Sequence, residues 1–165
     1  MFYRLVLTLT LMATVCCTFF RHDRKESVRL NPDNVFFNGI SECDSATAYL
    51  LYPESSDTAP ALVFRAFEVI GRPQKLNKFH KEEFSLIIRE PSKPNDLIIS
   101  CTFLPDIGFR FFKDKQETDV LIAFYCDEWL FAKDSVMNSG SCSHVHQELV
   151  RLSKRLFPEH LKNLK

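Results

Sequence analysis

The chain has 165 residues, with 21 Lys+Arg against 21 Asp+Glu, 45% hydrophobic and 25% charged residues. Such a composition suits a single globular domain and excludes a disordered chain. The neutral balance gives no electrostatic pull toward a polyanion, so no nucleic-acid partner is expected.

Residues 2–20 carry one charged side chain, Arg4, and run uncharged from Leu5 to Phe20. A membrane-spanning helix needs about 20 apolar residues and a signal-peptide core about 7–15. The run falls between them, nearer the signal peptide, and its threonines weaken a permanent span. Residues 1–20 are read as a signal peptide or an N-terminal membrane anchor. Three outcomes stay open: cleavage near Val15-Cys16-Cys17, lipidation at Cys16 or Cys17, or retention as an anchor. Each implies an exported protein, whether periplasmic, envelope-bound or secreted. Arg21, Arg24, Lys25 and Arg29, offset by Asp23 and Glu26, read as a solvated linker or as a contact with anionic lipid.

Residues 21–44 are turn-rich, with Asn31-Pro32-Asp33-Asn34 and Asn38-Gly39, and are assigned to a linker that leads into one domain over 45–165. Val35-Phe36-Phe37 interrupts them as a short strand or a plug on the core. Thr47–Tyr52 and Ala61–Ile70 are short β-favouring runs split by a polar loop, which predicts a hairpin. Leu76, Phe79, Phe84 and Ile87 fall near helical spacing between charged residues, so a helix is expected over 74–89, with a strand over Ser85–Ile88 as the alternative. Pro91 and Pro94 end it.

Three β-favouring runs follow between Leu97 and Ala132, broken at Pro105-Asp106-Ile107-Gly108 and at the charged turn after Phe112. They read as a three-stranded antiparallel meander. Val145, Leu149, Leu152 and Leu156 then form the apolar stripe of a closing helix. The expected fold is α+β, with an antiparallel sheet in the order β-β-α-β-β-β-α and its helices packed on one face.

Beyond the leader stand Cys43, Cys101, Cys126 and Cys142, an even count that suggests disulfides in an exported chain. In the expected meander Cys101 and Cys126 lie two strands and several residues apart. A disulfide needs Cα atoms within about 7 Å, so these two are read as small buried hydrophobes. Cys43 and Cys142, both in loops, are the disulfide candidates.

Cys142-Ser143-His144-Val145-His146 offers the ligand types that zinc and copper prefer. A fourth ligand would have to come from Cys126 or Cys43. Val145 belongs to the apolar stripe, which sends His144 and His146 in divergent directions, so no metal or other cofactor is firmly implied. Asp127 and Glu128, next to Trp129, could be read as a pair of catalytic acids. Neighbouring strand residues face opposite ways, which makes them a poor pair. Motifs for nucleophilic catalysis and phosphate loops are absent.

The run Phe103-x-Pro105-x-x-Gly108-x-x-Phe111, with Asp119-Val120-Leu121-Ile122-x-Phe124-x-Cys126, resembles a set of uncharacterised bacterial exported proteins. Those share a Pro-x-x-Gly turn between strands, an apolar strand ending in Cys and a C-terminal helix ending near Phe-Pro. The resemblance spans roughly residues 45–158. It implies bacterial export and a similar layout, and brings no function. Ala123 stands where such proteins often carry the first cysteine of a pair. The leading expectation is a non-catalytic exported domain that binds a partner or serves a structural role at the envelope. The alternative is a metal-binding or thiol-redox module using Cys142, His144 and His146.

Overall fold

The computed structural model describes residues 35–52, 62–90 and 101–162. The leader, with Cys16 and Cys17, and the basic stretch at 21–29 lie outside these residues. Among the described residues, no helix is long and apolar enough to cross a membrane.

The chain folds as α+β. Among the described residues, seven strands make one antiparallel sheet, accompanied by three α-helices. In chain order these are α1 (Val35–Ser41), β1 (Ser45–Tyr52), β2 (Val63–Phe64), β3 (Phe67–Lys75) and α2 (Lys78–Ile87). Then come β4 (Ile107–Lys113), β5 (Gln116–Ala123), β6 (Glu128–Lys133), β7 (Val136–Ser141), a 3-10 turn (Ser143–Val145) and α3 (His146–Leu156). The sheet runs β2-β3-β1-β4-β5-β6-β7. β1 therefore pairs with β3 on one side and with β4 on the other, while β4 to β7 form consecutive hairpins.

Several elements stand where their patterns place them. Asn77 caps α2, its side chain accepting the His80 N–H at 2.9 Å, and the apolar positions Phe84 and Ile87 turn inward. An Asn at this position satisfies a backbone donor that the helix itself leaves open. α3 buries Leu149, Leu152 and Leu156, as the stripe requires.

Three elements differ from expectation. Val35-Phe36-Phe37 opens a helix rather than a strand, and its Phe36 and Ile40 lie in the core. The packed domain thus reaches back into the stretch read as linker. Residues 101–105 form no strand, and residues 97–100 lie outside the described residues. The apolar run from Val120 to Ala132 is two strands rather than one. Asp127 adopts a φ of 49° between them, a left-handed conformation that Asp tolerates better than most residues. Ala123 then pairs with Glu128 across the reversal.

The main core joins strand residues at alternate positions to helix residues. Ala46, Ala48, Leu50, Ile107, Phe109, Phe111, Val120, Ile122, Trp129 and Phe131 share one cluster with Phe36, Phe84, Leu149 and Leu152. A smaller cluster of Leu51, Phe64, Val69 and Leu121 takes alternate strand positions of the opposite parity. The sheet curls enough for Phe64, on the β2 edge, to lie directly over Gly108 of β4. A Cβ at position 108 would come within 2.5 Å of its ring. This smaller core is continued by a charged cluster. Asp119, fully buried, accepts from Arg110 through Nε at 2.8 Å and NH2 at 2.9 Å, and from Arg65 Nε. Arg110 also pairs with Glu117 at 3.2 Å and lies 5.0 Å over the Phe64 ring.

Candidate functional site

Of the residues the sequence singles out, Cys101, Cys126, Asp127, Cys142 and His146 gather at one corner, where β5 turns into β6 and the chain enters α3. The turn is Phe124-Tyr125-Cys126-Asp127. It closes with Asp127 N–H donating to the Phe124 carbonyl at 3.4 Å.

Cys126 is bonded to Cys101, with Cα atoms 6.1 Å apart. This corrects the reading that the two cysteines sit too far apart to bond. That reading assumed a strand through Cys101 paired within a meander. The chain at 101–105 instead runs as coil beside the β5–β6 turn, free of any ladder register. Cys101 is half-buried and Cys126 buried. Cys43 and Cys142, the expected pair, have different surroundings. Cys142 is fully buried in the main core at the start of the 3-10 turn. Cys43 is half-buried beside α2, where its carbonyl accepts from Lys81 Nζ at 3.2 Å. Burial pushes the Cys43 thiol up from its ordinary pKa, partly opposed by the Lys81 charge.

Asp106 is the internal support of this corner. Its carboxylate accepts the Phe124 N–H at 2.8 Å, and its own N–H donates to the Ile122 carbonyl at 2.8 Å. Its carbonyl accepts from Leu51 N–H at 3.0 Å. One residue thereby ties β1, the end of β5 and the turn together. Burial pushes its carboxyl up, while the hydrogen bonds from the Phe124 and Asp106 N–H groups pull it down.

The two histidines separate, as the apolar position between them requires. His146 Nδ1 pairs with Asp127, and the imidazole stands edge-on to Phe124 at 5.7 Å. His144 Nε2 meets the Glu90 carbonyl at 3.1 Å, and its ring stands edge-on to Trp129 at 5.8 Å. Asp127 therefore meets His146. Glu128 is buried in β6, opposite Ser141 and Ala123. Among the described residues, no three His, Cys, Asp or Glu side chains converge as a metal ion would need. With its sulfur bonded to Cys101, Cys126 has no thiolate to offer a metal, which removes it as the fourth ligand.

Tyr125 is the one residue of the turn that points out, with 92% of its surface exposed. It stands between a buried Phe124 and a buried Cys126. Sequence reasoning passed over it, and over Asp106 and the Asp119 cluster. A signal for Asp119 was present, since it is a lone carboxylate heading the apolar run Val120-Leu121-Ile122. Arg110, a lone cation between Phe109 and Phe111, was its counterpart.

Compared with known protein families, curated proteins and solved structures, the chain matches none of them.

Proposed function

We propose that this chain is an exported, envelope-associated binding domain with no catalytic role, its helices forming one layer against the curled sheet. The observation that carries the reading is the corner described above: an almost fully exposed tyrosine on a turn fastened by a disulfide. Disulfides persist in oxidising compartments outside the cytosol, which supports export. Tyrosine supplies contact area with few rotatable bonds, and fixing its backbone before binding lowers the ordering cost. The resemblance to bacterial exported proteins and the leader, uncharged from Leu5 to Phe20, support the same placement, with the leader tethering the domain.

The test has two parts. Intact mass of the protein from envelope and medium, with and without reductant, reports the fate of the leader and the disulfide together. Co-purification of envelope components with the detergent-extracted full-length chain is then compared for the parent, Tyr125→Ala and Val136→Ala. Loss of a co-purifying component for Tyr125→Ala alone supports the reading. Equal co-purification by all three refutes the role of the turn.

A second reading, a thiol-redox or metal-binding module, draws on the Asp127–His146 pair, because His146 contacts both residues that flank the Tyr125-Cys126 step. Its thiols would be Cys101 and Cys126, released by reduction of the bond between them. Thiol-disulfide exchange with a dithiol substrate, and elemental analysis of the purified protein, test it. Inert cysteines together with no stoichiometric metal rule it out.

A further inference from the structure

Between α2 and the end of α1 runs a groove of about 500 Å³. That volume is in the range of small-molecule sites and far larger than a bare ion needs. α2 supplies Lys78, Lys81, Glu82, Ser85, Leu86 and Arg89 to its walls, and the chain leaving α1 supplies Ser41 and Cys43. Ser85 is buried, at 8% exposed. Among the described residues its hydroxyl has no hydrogen-bond partner. Buried hydroxyls are normally bonded, so this one is a donor available to whatever enters the groove.

The lining carries three cations and one anion. Glu82 lies 3.7 Å from Lys78 and offsets that charge. Lys81 spends two of its three N–H groups on the Cys43 and Asp44 carbonyls, at 3.2 and 3.0 Å. These bonds fix the ammonium without neutralising it. Arg89 lies 4.9 Å over the Phe37 ring of α1, a contact through the ring face that uses none of the guanidinium donors. The other carboxylates around the groove are engaged away from it. Glu83 pairs with Arg155 of α3, Glu42 pairs with Lys113, and Asp44 accepts the Asp114 N–H at 3.2 Å. Glu90 stands outside the lining.

We propose that this groove binds a small organic anion, one phosphate or carboxylate group on a short carbon skeleton. Lys81 and Arg89 hold the oxyanion, the lysine as a fixed point charge and the arginine as a planar fork that matches two oxygens. The Ser85 hydroxyl donates to a third oxygen. Leu86, 62% exposed on the same wall, meets the carbon skeleton and gives an organic anion its advantage over a bare one. Glu82 opposes the ligand and sets a limit on its affinity. The site is separate from the Tyr125 turn and needs nothing from the leader.

The full-length chain in detergent is titrated by calorimetry at low salt with glycerol phosphate, succinate and inorganic phosphate. Labelling of Cys43 by N-ethylmaleimide, read by peptide mass, reports occupancy of the groove, because this half-buried thiol lines it. Glycerol phosphate or succinate should bind at one site and slow the labelling several-fold, and whichever binds tighter tells a phosphate site from a carboxylate site. Inorganic phosphate should bind several-fold more weakly than glycerol phosphate. Arg89→Gln should abolish binding and Ser85→Ala should weaken it several-fold. Glu82→Gln, at an exposed position, should tighten it, a gain that damage to the fold would not produce. No heat and no protection of Cys43 with any probe overturns the proposal. Binding that ignores both Arg89→Gln and Glu82→Gln overturns it by placing the ligand elsewhere. Inorganic phosphate binding as well as the organic probes, indifferent to Ser85→Ala, reduces the groove to an adventitious ion only and overturns it as well.

Discussion

Arg65 reaches across the curled sheet to Asp119. Arg65 lies in the turn between β2 and β3, with a φ of 59°, while Asp119 is on β5, 54 residues later in sequence and four strands along the sheet. A flat sheet would hold them far apart, since neighbouring strands are spaced about 4.8 Å. The pair closes the curl at the point where Phe64 has already been laid over Gly108. Arg110 completes the arrangement from β4 and approaches Asp119 through two nitrogens, the geometry that makes Arg–carboxylate pairs strong.

Removing the carboxylate strands both guanidinium groups against a buried position. Asp119→Ala should destabilise the fold by about 3–5 kcal/mol, the usual cost of breaking a buried pair from one side. Urea unfolding of the purified protein measures it. A loss below about 1 kcal/mol would show that water replaces the carboxylate and that the curl closes without the pair.

Gly108 has no room for a side chain, because Phe64 occupies the space. Gly108→Ala should cost about 1–3 kcal/mol through overpacking. Pairing it with Phe64→Leu should return part of that loss. The double-mutant cycle reads the coupling directly, and strict additivity would mean that Phe64 does not sit on Gly108.

Asp106 gives the protein a pH-dependent term whose sign follows from its surroundings. Burial raises its carboxyl pKa above the ordinary value, so the folded state holds the proton more tightly than the unfolded state. The stabilising contribution is complete below the ordinary Asp range and is lost as pH rises from there through the raised value. Asp106→Asn keeps an acceptor for the Phe124 N–H and cannot ionise. Urea midpoints taken from about pH 3 to pH 8 should show the parent losing ground to the variant across that window. Parallel curves would contradict the assignment.

The Cys101–Cys126 bond closes a loop between cysteines 25 residues apart. The chain-entropy estimate for such a loop is about 3.5 kcal/mol. Reduction, or replacement of both cysteines by Ser, should lower unfolding free energy by roughly that amount. Identical denaturation with and without reductant would show that the bond fails to form in the isolated protein.

Tyr125 should behave in the opposite way. It is 92% exposed, so Tyr125→Ala should change stability by less than about 0.5 kcal/mol while abolishing co-purification of the envelope partner. Calorimetry separates the two effects. A large drop in melting temperature would assign the residue to the fold instead.

The fold class was legible because periodicity reports burial on one element at a time. The stripe of α3 and the spacing in α2 needed no partner to be recognised. Strand order did not show in the same way. β1 is followed in sequence by β2 and β3, and nothing in Ser45–Tyr52 says that its other neighbour is β4. The run from Val120 to Ala132 read as continuous because a turn made by Asp127 at positive φ needs no Gly or Pro to mark it. The disulfide was missed for a related reason: hydrophobicity at 97–104 suggested a strand, and an assumed strand fixes a register that coil does not have. Asp119 and Arg110 were visible as lone charges in apolar company, but their pairing depends on β4 meeting β5 and could be read only after the register was known.

The position of β1 also sets the order in which the molecule can be completed. Its partner on one side, β3, follows soon after it. Its partner on the other, β4, is separated from it by the whole of α2 and the segment beyond. A chain made from its N-terminus must carry Ser45–Tyr52 with one edge open until Ile107–Lys113 arrives. β4 to β7, by contrast, pair locally as soon as they appear, and local pairing is fast. The β4–β7 half is the natural template, and β1 is joined to it late. Until then β1 carries an unpaired edge, the kind of surface that favours wrong association.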